Sequence, residues 1–541
     1  METVTIDRMG YGAQAVGKLA DGKTVFVEGG APGDVAVVEV VEEKPAFARA
    51  RIVSLVKPSS DRVPARMDDA ASFGASWAHL SYDAQLAAKR GNVCAALTRI
   101  GRIDEDRAEK LVQPCVPSKR AWGYRNKLEL AAGRDPRGRF LLGFFHEGTH
   151  DIVAAASCPL AHDAIAKAPA SLRGAIGFAE GSQDLGIYRI GVRHSLRTRE
   201  LEVALWTKPG AFPRAHVAKT VMSALKATSV VRVLADPGKA RKIKGVETLE
   251  GRGRWGEELL DMRFETSAPS FFQVNTAQAE RLVIEVVEGL GGTMGPEGPE
   301  GLDGLLVADL YAGGGTFSVP LALAGADVVA VEAAGTSVRD LRRNADANGV
   351  DIDVVGGDAA RELPDIGDID ALVVDPPRSG LADGVVESIA AVAPARVAYV
   401  SCNPSTWARD AARFEGEGYR LVRAQPVDLF PQTYHVETVA VLSRKSATKT
   451  FIPVTVSPKD MGLDEAKAQP TYENIRKYVK ETHGLTVSTL NIAQMKAECG
   501  LEMECDRSGG KQQPKCPPEK REAILDAFRR FGMIEDDSSE G

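Results

Sequence analysis

From residue 305 onward, short apolar runs alternate with helical stretches, and this period constrains the fold more than any other feature of the chain. The runs lie at 305–310, 327–332, 352–355, 371–375 and 396–401, each rich in Val, Ile, Leu and Ala. A strand that is apolar on both sides must be covered on both faces. That is the condition of a parallel sheet wrapped by crossover helices. In such sheets the chemistry gathers at the carboxyl ends of the strands.

One thiol stands at such an end. Seven cysteines are scattered through 541 residues, and Cys402, in Ser401-Cys-Asn-Pro404, is the only one at a predicted strand end. A buried core position is the commonest fate of a cysteine, but here two turn formers follow at once. The fourth strand ends in Asp375-Pro-Pro-Arg378, whose prolines stiffen the backbone beside the carboxylate. The first strand runs into Asp309-Leu-Tyr-Ala-Gly-Gly-Gly-Thr-Phe317, where glycines allow tight turning and close approach of a ligand. Glu332 ends the second strand, where a carboxylate can accept from two ribose hydroxyls. The alternative for this loop is a tight packing turn. Asp358, after the third strand, either reaches an adenine amino group or caps a helix. Phe430-Pro-Gln-Thr-Tyr-His-Val-Glu437 offers His435 and Glu437 as proton acceptors, and Phe271-Phe-Gln-Val-Asn275 offers an amide to a polar ligand edge.

These parts suit methylation of uracil at C5. That carbon is a poor nucleophile until a thiolate adds to C6 and turns C4–C5 into an enolate. A base must then remove the C5 proton so that the thiol is expelled. The scheme needs one cysteine, one carboxylate, groups at the pyrimidine edge and a methyl donor.

The chain resembles the RNA uracil-5-methyltransferases of the 23S rRNA and tRNA type. The likeness lies in Phe272-Gln-Val-Asn275, the 309–317 loop, Asp375-Pro-Pro-Arg378, Ser401-Cys-Asn-Pro404 and His435-Val-Glu-Thr438, and it extends over residues 1–445. It implies an S-adenosylmethionine-dependent, Rossmann-like α/β fold. It implies Cys402 as nucleophile and Glu437 as base. Gln273, Tyr311, Gly313, Gly315, Thr316, Glu332, Asp358 and Asp375 are the cofactor-binding residues so implied. Gln273, Asp375 and Arg378 would contact the base. Thr316 stands where many relatives carry asparagine. Many relatives also hold a four-iron cluster on four cysteines. The matching positions here are Arg66, Ser72, Ala75 and Cys158, and one thiol cannot hold a cluster. None is expected, and no other metal.

The length predicts about three or four domains. Residues 1–60 read as glycine-broken strands, an OB-like barrel resembling the TRAM module. Residues 61–265 form an α+β central RNA-binding domain. Its helix 82–100, with an apolar stripe of Leu86, Val93, Ala96, Leu97 and Ile100, is expected to pack on the catalytic domain. Residues 266–445 form the methyltransferase domain. The Gly- and Pro-rich stretch 289–304 reads as a surface insertion. Residues 446–541 form a small helical module of unassigned role, with helices at 472–483, 488–498 and 518–531. It is either a helix-turn-helix or an appendage packed on the body. Cys499, Cys505 and Cys516 lack a familiar zinc spacing, and 535–541 is expected to be disordered.

The net charge of −7 speaks against nucleic acid, but residues 186–256 hold 15 Lys or Arg against 5 Asp or Glu. Arg193, Arg197, Arg199, Lys239, Arg241, Lys242 and Lys244 belong to this excess, which reads as a polyanion footprint. The alternative is a set of solvated strand faces. Residues 1–7 lack a signal-peptide pattern, no apolar run nears the roughly 18 residues of a membrane span, and the irregular cysteines suit a reducing cytoplasm. The expected protein is a cytoplasmic monomer whose partner is RNA, 23S rRNA first and tRNA second, with no membrane contact. A non-catalytic RNA-binding protein on the same fold is the reading of another class, and a nicotinamide-dependent oxidoreductase is a third.

Overall fold

The computed structural model describes residues 1–64, 66, 74–146, 149–181, 183–238, 242–296, 298–367, 369–445, 472–485, 487, 489–501, 516 and 518–534. Lys239, Arg241, Ser72, Cys505 and the 535–541 tail lie outside them.

A seven-stranded sheet carries the carboxyl-edge motifs. Its parallel strands are Ile352–Gly356, Asp327–Glu332, Leu306–Leu310, Ala371–Val374 and Arg396–Ser401, in that spatial order. Two further strands, Glu437–Arg444 and Tyr419–Val427, extend the sheet antiparallel beyond Arg396–Ser401. The periodicity predicts the parallel five but not these two. Both faces are covered by helices, with Val307, Val373, Ala398 and Val439 buried on one side and Leu372, Val397, Tyr399 and Leu442 on the other. Residues 289–304 include a short antiparallel hairpin, Thr293–Gly295 with Gly298–Glu300.

The N-terminal strands, Glu2–Met9, Ala15–Lys18, Thr24–Glu28, Val35–Glu43 and Phe47–Lys57, close into a five-stranded barrel. Alternation is visible in Glu2–Met9, where Val4 and Ile6 are buried between exposed neighbours. The barrel interior is completed from outside by Trp77 and Leu80. A second seven-stranded sheet spans 127–251, with helices Ala168–Glu180 and Arg214–Leu225 packed on it.

Helix Tyr82–Arg99 joins these parts. Its apolar face, Val93 and Leu97, enters the core of the parallel sheet beside Trp407 and Ala408 of helix Pro404–Gly416. Ile100 is 41% exposed, so the predicted stripe stops a residue short. Gln85, Lys89 and Asn92, polar residues of the same helix, are also buried.

The C-terminal helices Tyr472–His483, Thr489–Glu498 and Pro518–Arg530 surround their own core of Ile475, Val479, Ile492, Ile524 and Phe528. Lys520 bridges to Asp351 of the body at 2.7 Å. No helix among the described residues is long and apolar enough to cross a membrane.

Part of the basic excess is neutralised where it stands. Arg189 pairs with Glu129, Arg197 with Glu280, Arg214 with Glu247, Lys244 with Asp236, and Arg252 with Glu200 and Glu265. Arg193 is buried and donates to the carbonyls of Ser267 and Ser270. Local count therefore overstates the free positive charge, since a carboxylate facing each guanidinium cancels most of its field. Arg199, Lys208, Lys219, Lys226 and Lys242 remain exposed.

Candidate active site

The edge is built by strands that stop and turn. Pairing of Arg396–Ser401 with Glu437–Arg444 ends at Ser401 opposite Thr438. Cys402 follows Ser401 and Glu437 precedes Thr438, so both stand where this pairing ends. Asn403 then caps helix Pro404–Gly416, its side chain accepting from the Ser405 amide at 3.1 Å, with Pro404 in the first turn. The Arg378 carbonyl accepts from the Asn403 amide at 3.1 Å and from the Thr406 hydroxyl at 3.2 Å. The Asp375-Pro-Pro-Arg378 loop is thus stapled to the cysteine turn.

Four charged or chargeable groups meet there. Burial pushes the Cys402 thiol up to about 11; Glu437 and Asp375 add to this while the Arg378 guanidinium opposes it. Glu437 is buried, and burial followed by Asp375 holds its carboxyl near 8, again against Arg378. Asp375 is pushed to about 7 by burial and then by Asp309. His435 goes the other way: burial, then Arg378, Lys89 and Arg125, lower it to about 3. Its imidazole is neutral at any working pH and a weak base, so of the two predicted acceptors Glu437 is the stronger by about five units. Its ring lies against Tyr434, centroids 4.1 Å apart.

The glycine loop forms the second half. Asp309 is fully buried at the end of its strand; the Ser318 hydroxyl donates to Oδ2 at 2.5 Å, while Oδ1 has no partner. Burial first, with Glu332 adding, raises Asp309 to about 7. Tyr311 has a left-handed φ of 64°, which strains any residue but glycine. Gly313, at φ 58°, has open space where a Cβ would point, and Gly315 packs under Leu341. Glu332 accepts from the Gly313 amide at 2.9 Å and the Ala334 amide at 2.6 Å, holding the loop with its carboxylate. Asp358 caps Ala359–Glu362 and accepts from the Ala360 amide at 3.1 Å. Its charge also reaches Tyr311. Thr316 is half-buried in the loop.

Gln273 is buried, and its carbonyl accepts from Asn126 at 2.9 Å. Asn275, two residues on, is tied to Ser118 and the Leu429 carbonyl, so its amide is structural. The predicted residues thus fall into a reactive group of Cys402, Glu437, Asp375 and Arg378, a loop group of Tyr311, Gly313, Gly315, Thr316, Glu332 and Asp358, and Gln273 on its own tether.

Sequence reasoning misses what holds Glu437. The segment 428–435 leading to Glu437 is gripped by the buried polar face of Tyr82–Arg99. Lys89 pairs with Asp428 and donates to the Phe430 carbonyl at 3.0 Å. The Tyr82 hydroxyl donates to Asp428 at 2.7 Å. The Gln85 amide donates to the Gln432 side chain at 3.0 Å and accepts from the Gln432 backbone at 2.8 Å. The signal is the 85, 89, 92 spacing, which in a lone sequence matches an exposed helix face equally well. At the cluster positions, Arg66 lies over the Trp122 ring at 5.1 Å, and Ala75 and Cys158 are buried in the central core. Their side chains do not fit an iron site.

A family model for tRNA (uracil-5-)-methyltransferases matches residues 257–445, and one for the TRAM domain matches residues 2–53. An uncharacterized RNA methyltransferase of Gloeobacter violaceus is 35% identical over 82% of this chain and 96% of its own length. One from Thermosynechococcus vestitus is 34% identical over 81% and 97%. Among solved structures, the tRNA (uracil-54, C5)-methyltransferase of Pyrococcus abyssi in complex with S-adenosyl-L-homocysteine is similar, with a TM-score of 0.62 and 28% identity over 81% of this chain and 99% of that one. With its carboxyl-edge thiol, glycine loop and N-terminal barrel, the chain belongs to the tRNA (uracil-5-)-methyltransferase family of RNA methyltransferases.

Proposed function

We propose that the protein methylates C5 of a uracil in RNA through a covalent adduct between Cys402 and C6. The observation that supports this is the Cys402 thiol within electrostatic reach of Glu437, with Asp375 and Arg378 within reach of both. The glycine loop fits S-adenosylmethionine: the space over Gly313, the strand-end Glu332 and the orphaned Asp309 oxygen suit a nucleoside amino acid. When bound, that cofactor supplies an electrophilic methyl group. Gln273, Tyr311, Gly313, Gly315, Thr316, Glu332, Asp358 and Asp375 are the residues assigned to hold it.

The Cys402 thiolate adds to C6 of a base swung out of its stack, and Arg378 offsets the cost of its negative charge. C5, now enolate-like, would take the methyl group, the bond from that group to the donor's sulfonium sulfur breaking as the C–C bond forms. Glu437 removes the C5 proton, the S–C6 bond breaks, and the C5–C6 double bond returns with the thiolate free. Gln273, Asp375 and Arg378 are assigned to the pyrimidine edge. The raised pKa values of Asp375 and Glu437 mark carboxyls that a positively charged neighbour would return to the ionised form. Cys402 and Glu437 side by side also weigh against a protein that only binds RNA.

For the substrate, 23S rRNA is the first assignment, on the barrel-plus-catalytic layout, and tRNA the second. The likeness to the archaeal tRNA enzyme covers 99% of that chain and supports the second. The units 1–60, 61–265, 266–445 and 446–541 are proposed as domains, each with its own buried cluster among the described residues. The cytoplasm is the proposed location, supported by the irregular spacing of the seven cysteines. The test is methyl transfer from labelled S-adenosylmethionine to rRNA and tRNA taken from a strain lacking the gene. Label recovered as 5-methyluridine in one of the two RNAs is expected; label in neither, or at another atom, overturns the reading.

A further inference from the structure

The barrel sends one side chain to the nucleophile. Tyr11, in the turn between Glu2–Met9 and Ala15–Lys18, donates its hydroxyl to the Cys402 carbonyl at 3.1 Å. That carbonyl lies past the end of the sheet ladder, where no strand partner takes it. The Tyr11 ring also stands edge-on to Tyr434, centroids 5.6 Å apart, on the segment that leads to Glu437. The turn around Tyr11 is fixed from outside the barrel. Asn92 donates to the Gly10 carbonyl at 3.1 Å and the Trp77 indole to the Gly12 carbonyl at 3.0 Å. Asn92 sits on the same helix as Lys89 and Gln85, which grip the base segment. One helix therefore sets the Tyr11 turn and the Glu437 approach together. Burial and the Cys402 side keep the phenol protonated, so it remains a donor throughout the working range.

We propose that Tyr11 is a positioning residue for the nucleophile: its hydroxyl fixes the Cys402 carbonyl, and the seating of the barrel thereby sets the angle at which the thiol meets C6. This rests on the function proposed above and assigns the barrel a part in the chemical step as well as in RNA capture. A single hydrogen bond at the backbone of the reacting residue is worth about 1 kcal/mol, or about fivefold in rate.

Tyr11→Phe removes the hydroxyl and keeps the ring against Tyr434. Two measurements on the full chain test the proposal. In single turnover with 5-fluorouridine RNA, the variant is expected to form adduct about fivefold more slowly at saturating RNA, with RNA affinity unchanged. Without RNA, amide hydrogen exchange at 402–406 is expected to quicken by a similar factor, about fivefold, while the barrel core keeps its protection. Unchanged exchange and an unchanged adduct rate overturn the proposal. A loss confined to RNA affinity also overturns it, by making Tyr11 an RNA contact. If the unaltered protein forms no adduct, the proposed function fails, and the exchange result still decides whether Tyr11 tethers the Cys402 turn.

Discussion

At the carboxyl edge of the parallel sheet, Asp309 and Glu437 are buried and Asp375 is half-buried; none makes a salt bridge among the described residues, and each is held well above the usual carboxylate range. On and around the sheet spanning 127–251, Arg189, Arg197, Arg214, Lys244 and Arg252 each face a carboxylate. Both regions are rich in charge. Pairing makes the second a scaffold, because a matched pair has little left to give a ligand. The first retains unmet electrostatic demand, which is what a site for proton transfer and a cationic cofactor requires. Glu202 is the exception in the scaffold: burial raises it to about 7, and one of its oxygens has no partner.

The largest expected effect tests the unpaired region at its thiol. Cys402→Ala should lower methyl transfer by at least about a thousandfold, read as label incorporated per enzyme, because no other group makes C5 nucleophilic. Glu437→Gln should slow turnover about a hundredfold or more. It should also accumulate protein–RNA adduct on ordinary uridine RNA, visible on a denaturing gel, because the adduct forms but cannot shed its C5 proton. A variant that loses turnover without accumulating adduct would remove Glu437 from the role of base.

Breaking a buried pair separates the two regions by stability. Lys89→Ala leaves Asp428 charged and enclosed, and should cost about 3–5 kcal/mol in thermal or denaturant unfolding. Arg197→Ala breaks a partly exposed pair with Glu280 and should cost less than about 1 kcal/mol.

The pH response follows from the direction of the shifts. Glu437 must be ionised and Cys402 must react as its thiolate, so kcat/KM should climb steeply toward about 8 and then keep climbing, about tenfold per pH unit, toward about 11. Stability runs the opposite way. A carboxyl whose folded value is raised contributes fully below its unfolded value, near 4.5, and loses that contribution as pH rises through about 8. Glu437→Gln should therefore melt higher than the unaltered chain at pH 8 and nearly together with it at pH 4.5. This is a small effect, and a melting difference that shrinks with rising pH would contradict the burial of Glu437.

What could be read from the sequence was set by period and by turn chemistry. Asp327–Glu332 and Arg396–Ser401 are visible as uninterrupted apolar runs with the boundaries they have in the fold. Glu437–Arg444 is as buried but mixes Thr and Ser into its run, and antiparallel addition at an edge leaves no crossover helix to announce it. Ala15–Lys18 is too short to show alternation. Cys402, Asp375 and Glu437 are legible because each ends or begins a strand. The grip of Gln85, Lys89 and Asn92 was not, since burial of a polar helix face depends on Asp428, Gln432 and Gly10, each over eighty or three hundred residues away. Tyr11 is hidden for the same reason: its partner is 391 residues away.

The central claim is that Cys402 forms the covalent bond. Incubation with 5-fluorouridine RNA and S-adenosylmethionine, digestion and mass mapping of the cross-linked peptide test it directly. A fluorine at C5 cannot leave as a proton, so the adduct should persist, on the peptide that contains Cys402 and on no other. No adduct, an adduct on another cysteine, or one that survives Cys402→Ala would contradict the account.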